Sequence, residues 1–219
     1  MAQRRVLMVV TSHSQISSEH PTGVWLSEFT EPYTLFRDAG YDITVASIQG
    51  GAAPVDPRSL KEASPEDLAV KKQLETTVSL REVATDGFDA IFLPGGHGTM
   101  FDMPDNVELA RAITSFYESG RVVAAVCHGP AGLLGARLSD GTPLVQGKRV
   151  TGFTNEEERE AGFDALMPFL LESRLRELGA TFVGAPVWSD HIEQDGLLIT
   201  GQNPQSSKSA AKAVIDTLN

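Results

Sequence analysis

The sequence predicts an α/β fold: a doubly wound, mostly parallel sheet with helices on both faces. Three observations predict it. Short apolar runs rich in β-branched residues, at 4–11, 42–48, 88–93 and 122–126, have the length of strands, and 4–11 and 122–126 read as buried. Stretches with helical apolar spacing lie between them and end on glycine, as at 23–39 before Gly40 and 106–119 before Gly120. Strand and helix then alternate at the spacing of crossover units, which implies parallel pairing and a sheet covered on both sides.

The remaining elements follow in order. The segment SHSQISSEHPTG reads as a polar loop, GGAAPVDPRS as a second loop, and 65–83 as a polar amphipathic helix. AGLLGAR, after Pro130, reads as the first turns of a helix, and a loop with Gly141, Pro143 and Gly147 leads to a short strand at 149–151. Residues 155–178 are mostly helical but broken near Gly162 and Pro168. A strand is expected at 181–183, a hairpin from 187–191 and 196–200 across an acidic turn, and a closing helix at 206–218. With no repeat, low-complexity segment or linker, residues 1–219 read as one domain.

Composition narrows the function classes. The formal charge of −11 argues against nucleic acid and anionic membrane as partners. The single cysteine forbids an intrachain disulfide and suits a reducing compartment, so a cytoplasmic location is expected. MAQRRVLMVV pairs a charged start with an apolar run too short for a signal sequence, and no small-residue cleavage site follows. It reads as the first strand, and no stretch is long enough to span a bilayer.

In such sheets chemistry gathers at the carboxyl ends of the strands. The strand VVAAV ends on Cys127, followed by His128, Gly129 and Pro130. A nucleophile on a sharp strand-to-helix turn is the logic of the hydrolase elbow. A helix N-terminus beyond it would lower the thiol pKa. Cys127 also fits a plain buried strand end, but the adjoining imidazole favours a nucleophile.

Other groups converge on the same edge. PGGHG (94–98) lets backbone amides point into a site as an oxyanion hole requires, and lacks the residues of a phosphate loop. His97 there is either a substrate-orienting group or a surface histidine. Glu28 lies about one helical turn past Gly23 among Trp25, Leu26 and Phe29, either as a solvated helix residue or as a buried acid with a raised pKa. TNEEERE (154–160) caps a helix, and one of Glu156, Glu157 and Glu158 is available to orient His128. His191 and Glu193 form a rival pair, read more simply as part of a hairpin at the sheet edge. His13, His20 and His191 show no zinc-ligand spacing.

Taken together, AAVCHGP, LPGGHGTMFD, TGVWLSEFTEPY, TGFTNEEE, MPFLLE and ITGQNPQSS resemble the ThiJ/PfpI superfamily. They are similar in particular to its heat-shock-inducible branch of glyoxalase III enzymes and chaperones. The resemblance implies the flavodoxin-like, class I glutamine amidotransferase-like fold and a homodimer. It also implies glutathione-independent conversion of methylglyoxal, a 2-oxoaldehyde, to lactate without metal or organic cofactor. It places Cys127 as nucleophile, His128 as its partner, Glu28 as the acid touching the sulfur, and Glu158 as third triad member, with Glu156 or Glu157 as alternatives. Amides of Gly96 or Gly98 and of His128 would form the oxyanion hole, with His97 beside them. A holdase chaperone, a redox sensor and an amidase or peptidase are the alternative functions.

Overall fold

The computed structural model describes residues 3–219; the charged start that raised the leader question begins with two residues outside that range. In chain order the elements are β1 (Arg5–Val10), β2 (Gln15–Ser17), β3 (His20–Pro21), α1 (Leu26–Asp38), β4 (Asp42–Ser47), α2 (Pro65–Val70), β5 (Val78–Ser79) and β6 (Ala90–Leu93). They continue with α3 (Thr99–Asp102), α4 (Val107–Glu118), β7 (Val122–Val126), β8 (Arg149–Val150), α5 (Asn155–Ala161) and α6 (Leu171–Glu177). The chain closes with β9 (Thr181–Phe182), β10 (Ile192–Asp195), β11 (Leu198–Gly201) and α7 (Ser207–Leu218). Seven strands form the central sheet in the order β10-β11-β7-β6-β1-β4-β5. All neighbours pair parallel except β10, which joins β11 as an antiparallel edge.

Alternation along the buried strands builds a core on each face. Val6, Met8 and Val10 of β1, with Val122, Ala124 and Val126 of β7, pack against Phe29 and Phe36 of α1 and Ala210 and Val214 of α7. Leu7, Val9, Val123, Ala125 and Cys127 face the other side, against Leu109, Ile113 and Phe116 of α4. The sheet is thus covered on both faces, as the unbroken apolar runs required.

Five local features differ from expectation or refine it. The stretch 65–83 is not one helix: α2 stops at Val70, a 3₁₀ turn follows at Lys71–Leu74, and β5 and a second 3₁₀ turn complete it. Its apolar residues are too sparse to bury a continuous face. The helix expected after Pro130 is only a five-residue 3₁₀ turn, Gly129–Leu133. Residues 187–191 form no strand; the hairpin is β10 against β11, displaced along the chain. β9 lies outside the main sheet and pairs with β8 alone. The polar loop after β1 contains the small hairpin of β2 and β3.

Candidate active site

The segments that follow β6, β7 and β11 converge with the first turn of α1 on one pocket. Cys127 follows β7 directly and adopts a left-handed backbone, φ 57°. A side chain held in that region marks a strained elbow. The glycines around it permit the close approach. A Cβ on Gly95 would come within 2.6 Å of a Glu28 carboxylate oxygen and 2.7 Å of the His128 amide nitrogen. A Cβ on Gly96, at φ 107°, would lie 2.1 Å from the Gly23 carbonyl.

His128 Nδ1 lies 3.4 Å from the Cys127 sulfur, and its Nε2 lies 2.6 Å from Glu158 Oε2. Of the three acids in the run, Glu158 therefore orients His128. Glu157, also buried, closes a capping box with Thr154 and accepts from Trp188 N, Gln202 Nε2 and Asn203 Nδ2. Glu156 is exposed. Two histidine contacts hold the Glu158 carboxyl well below the usual range despite its burial, so it stays ionised.

Glu28 projects from the first turn of α1 and is fully buried. One oxygen accepts from Gly95 N at 2.7 Å; the other is buried without a nitrogen or oxygen partner, and the carboxyl contacts the Cys127 thiol. Burial pushes its pKa from 4.5 up to about 8. That shift corresponds to about 5 kcal/mol, more than the ~1 kcal/mol a helix N-terminus offers a carboxylate. Burial wins, and Glu28 holds its proton at neutral pH.

The same setting corrects the expectation for Cys127. Burial and the Glu28 carboxyl push the thiol pKa up, not down. The reason is structural: the turn that follows is too short for a helix dipole, and Cys127 is 3% exposed. The resting site therefore holds a thiol and not a thiolate.

Glu28 also sets a pH dependence of stability. A carboxyl whose pKa is raised on folding stabilises fully below its unfolded value, and that contribution is lost as pH rises through the folded one. The window here is 4.5 to about 8. Glu28→Gln keeps the acceptor for Gly95 without the proton, so it should be more stable than wild type by about 3 kcal/mol at pH 7. The gain should vanish near pH 4.5, and urea unfolding at the two pH values measures it.

Of the oxyanion residues, Gly96, His97 and His128 line the pocket and Gly98 does not. Gly98 packs on the His13 carbonyl and on Thr11, behind the site. The amides of Gly96 and His128 have no backbone acceptor among the described residues. His97 is no surface histidine: it is 4% exposed, and its Nε2 lies 2.7 Å from Glu158 Oε1. Burial and neighbouring positive charge lower its pKa to about 4. His191 and Glu193 pair with each other at 3.3 Å on the edge strand and line no part of this pocket.

The cavity is small, about 70 Å³, and its lining includes Trp25, Arg58, Phe153, Ala161, Trp188 and Pro204. Sequence reasoning missed Arg58, Trp188 and the aromatic wall. The Asp-Pro pair before Arg58 is a helix-start signal that marks an ordered turn inside the supposed loop. A wider cleft, about 1250 Å³, lies against α4 and α6 and contains none of these groups.

The model of the DJ-1/PfpI family matches residues 20–217. The chain belongs to the DJ-1/PfpI family. It is 35% identical to the glutathione-independent glyoxalase HSP31 of Saccharomyces cerevisiae, over all of this chain and 99% of that protein. Among solved structures it resembles glyoxalase III of Candida albicans, with a TM-score of 0.91, 31% identity and coverage of 98% of this chain and 97% of that one. The Rapid Encystment Protein of Francisella tularensis superposes with a TM-score of 0.95 at 38% identity, covering 99% of this chain and all of that one. No helix among the described residues is long and apolar enough to cross a membrane.

Proposed function

We propose that this DJ-1/PfpI protein is a glutathione-independent glyoxalase that converts methylglyoxal to lactate. The observation that carries the reading is one thiol set between a buried, protonated carboxyl and a carboxylate-bound imidazole, inside a pocket of about 70 Å³. Relatives that span the whole chain and are named glutathione-independent glyoxalases support the same chemistry.

Each step has a residue placed for it. The Cys127 sulfur bonds to the aldehyde carbon, and the thiol proton passes to His128 Nδ1, 3.4 Å away. The developing alkoxide is met by the amides of Gly96 and His128. Glu28 first gives its proton to the alkoxide and, as a carboxylate, takes the C1 proton to form an enediol whose C2 oxygen receives the proton held by His128. Glu28 then returns the C1 proton to C2 and recovers its own from the C1 hydroxyl, a role its buried unpaired oxygen favours. The product of that transfer is a lactoyl thioester, which water cleaves to lactate and free thiol. The steps use these side chains, the two backbone amides and water.

The family resemblance supports one ThiJ/PfpI-like domain acting as a homodimer, and the single cysteine supports a cytoplasmic setting. Burial and protonation of Cys127 weigh against a redox sensor, because sulfenate formation follows exposed thiolate. The test is methylglyoxal consumption with chiral detection of D-lactate, in the absence of glutathione. Stoichiometric D-lactate is expected; a folded protein that consumes no methylglyoxal would overturn the assignment.

A further inference from the structure

Arg58 belongs to neither the proposed nucleophile nor its triad, yet it is built into the site with care. Asp56 caps a 3₁₀ turn, Pro57–Glu62, by accepting from Arg58 N at 2.9 Å. The same carboxylate, fully buried, takes both arms of the guanidinium: Nε to Oδ1 at 2.9 Å and Nη2 to Oδ2 at 2.6 Å. Thr22 Oγ1 donates to Oδ2 as well, at 2.9 Å. Phe163 stacks under the guanidinium, 4.3 Å from its centre. A fork held this rigidly aims its remaining donors.

One of them points at His97: Arg58 Nη2 lies 3.1 Å from Nδ1. An arginine only donates, so Nδ1 must accept and cannot carry a proton. The proton of neutral His97 is then on Nε2, donated to Glu158 Oε1 at 2.7 Å. Glu158 accepts from His128 Nε2 through its other oxygen, which leaves His128 Nδ1 with a lone pair toward the Cys127 thiol. Donation along Arg58–His97–Glu158–His128–Cys127 therefore converges on the Glu158 carboxylate from both ends, with each tautomer fixed. Protons fill the spaces between the two rings and the carboxylate, so this trio is a relay of hydrogen bonds and offers no converging lone pairs to a cation.

We propose that Arg58 is a positioning residue for the reaction: it locks His97 in the Nε2–H form and keeps the charge of Glu158 available to His128. Without it, His97 can take a second proton on Nδ1. An imidazolium there would compete with His128 for the one carboxylate, and His128 would be a poorer base for the thiol. Arg58 from the 3₁₀ turn, His128 from the elbow and Glu158 from α5 are the charged or titratable groups that face His97; Phe153 and Phe163 close other sides.

The inference rests on the glyoxalase reading only for its kinetic readout. In the wild-type protein, imidazole ¹⁵N spectra should show His97 with Nε2 protonated and Nδ1 bare from pH 5 to 9. An Nδ1-protonated His97 would overturn the proposal without any variant. In Arg58→Met, the His97 pKa should rise from about 4, because a neighbouring positive charge is gone while burial still holds it below its ordinary value, and the acid limb of kcat should move to higher pH. The rate of Cys127 alkylation by iodoacetamide at pH 6 should fall about tenfold, as lost base catalysis does. A uniform loss at every pH, with the His97 spectrum unchanged, would make Arg58 merely structural and overturn the proposal. His97→Gln keeps an acceptor for Arg58 and a donor for Glu158, so its alkylation profile should lie closer to wild type than that of His97→Leu. If wild type turns over no methylglyoxal, the spectra and alkylation still decide the role of Arg58.

Discussion

Cys127→Ala should lower the rate of methylglyoxal consumption by on the order of 10⁴-fold or more, to the background of the buffer. The proposed cycle opens by forming a bond to that sulfur and closes by breaking it, so no other group can substitute. The fold should survive. Cys127 is a small buried side chain, and alanine removes one sulfur from a site already made strained by a positive φ. Removing the sulfur also removes a neighbour that contacts Glu28. The assay pairs lactate formation with circular dichroism and thermal melts of the variant. A folded Cys127→Ala protein with wild-type turnover would exclude the hemithioacetal route.

Glu158→Gln should be nearly as damaging, by about 10³- to 10⁴-fold in kcat, for a different reason. The carboxylate accepts from two imidazoles at once, His97 at 2.7 Å and His128 at 2.6 Å. A glutamine has one oxygen, so one of its N–H groups must face a ring N–H, and a histidine is forced into the wrong tautomer. The substitution should also cost about 3 kcal/mol of stability at pH 7, the scale of breaking a buried charged pair. The sign with pH follows from the lowered pKa of Glu158. A carboxylate held low in the folded state stabilises above its unfolded value, 4.5, and loses that contribution as pH falls below it. The difference between wild type and variant should therefore shrink in acid, which urea unfolding at pH 7 and pH 4 measures.

How much of this was legible before the structure depends on the range of each interaction. The main strands, the helices ending at Gly40 and Gly120, and the placing of Cys127 at a strand end all follow from patterns within about ten residues. Buried strands must be apolar on both faces, and a left-handed C-terminal residue must be cheap, so the signals sit in the chain itself. The stretch 65–83 failed for a related reason. Its helical spacing was real but weakly apolar, and packing divided it into short turns. The hairpin near the carboxyl end was placed too early, because the apolar pair Val187 and Trp188 looked like a strand start, whereas Trp188 stands in the pocket wall.

The site divides along the same line. Sequence alone determined the α/β class, the elbow with its cysteine and histidine, the glycine loop beside it, and Glu28 as a candidate among apolar neighbours. Tertiary structure alone decided which of three consecutive glutamates meets His128, that Gly98 faces away, and that His97 is buried on the same carboxylate. It also reversed the expected state of the thiol. Helix caps and strand ends are local, whereas burial and charge pairing depend on what distant segments bring to within a few ångströms. The ionisation of Cys127, Glu28 and Glu158 is set by those neighbours, and only the folded chain assembles them.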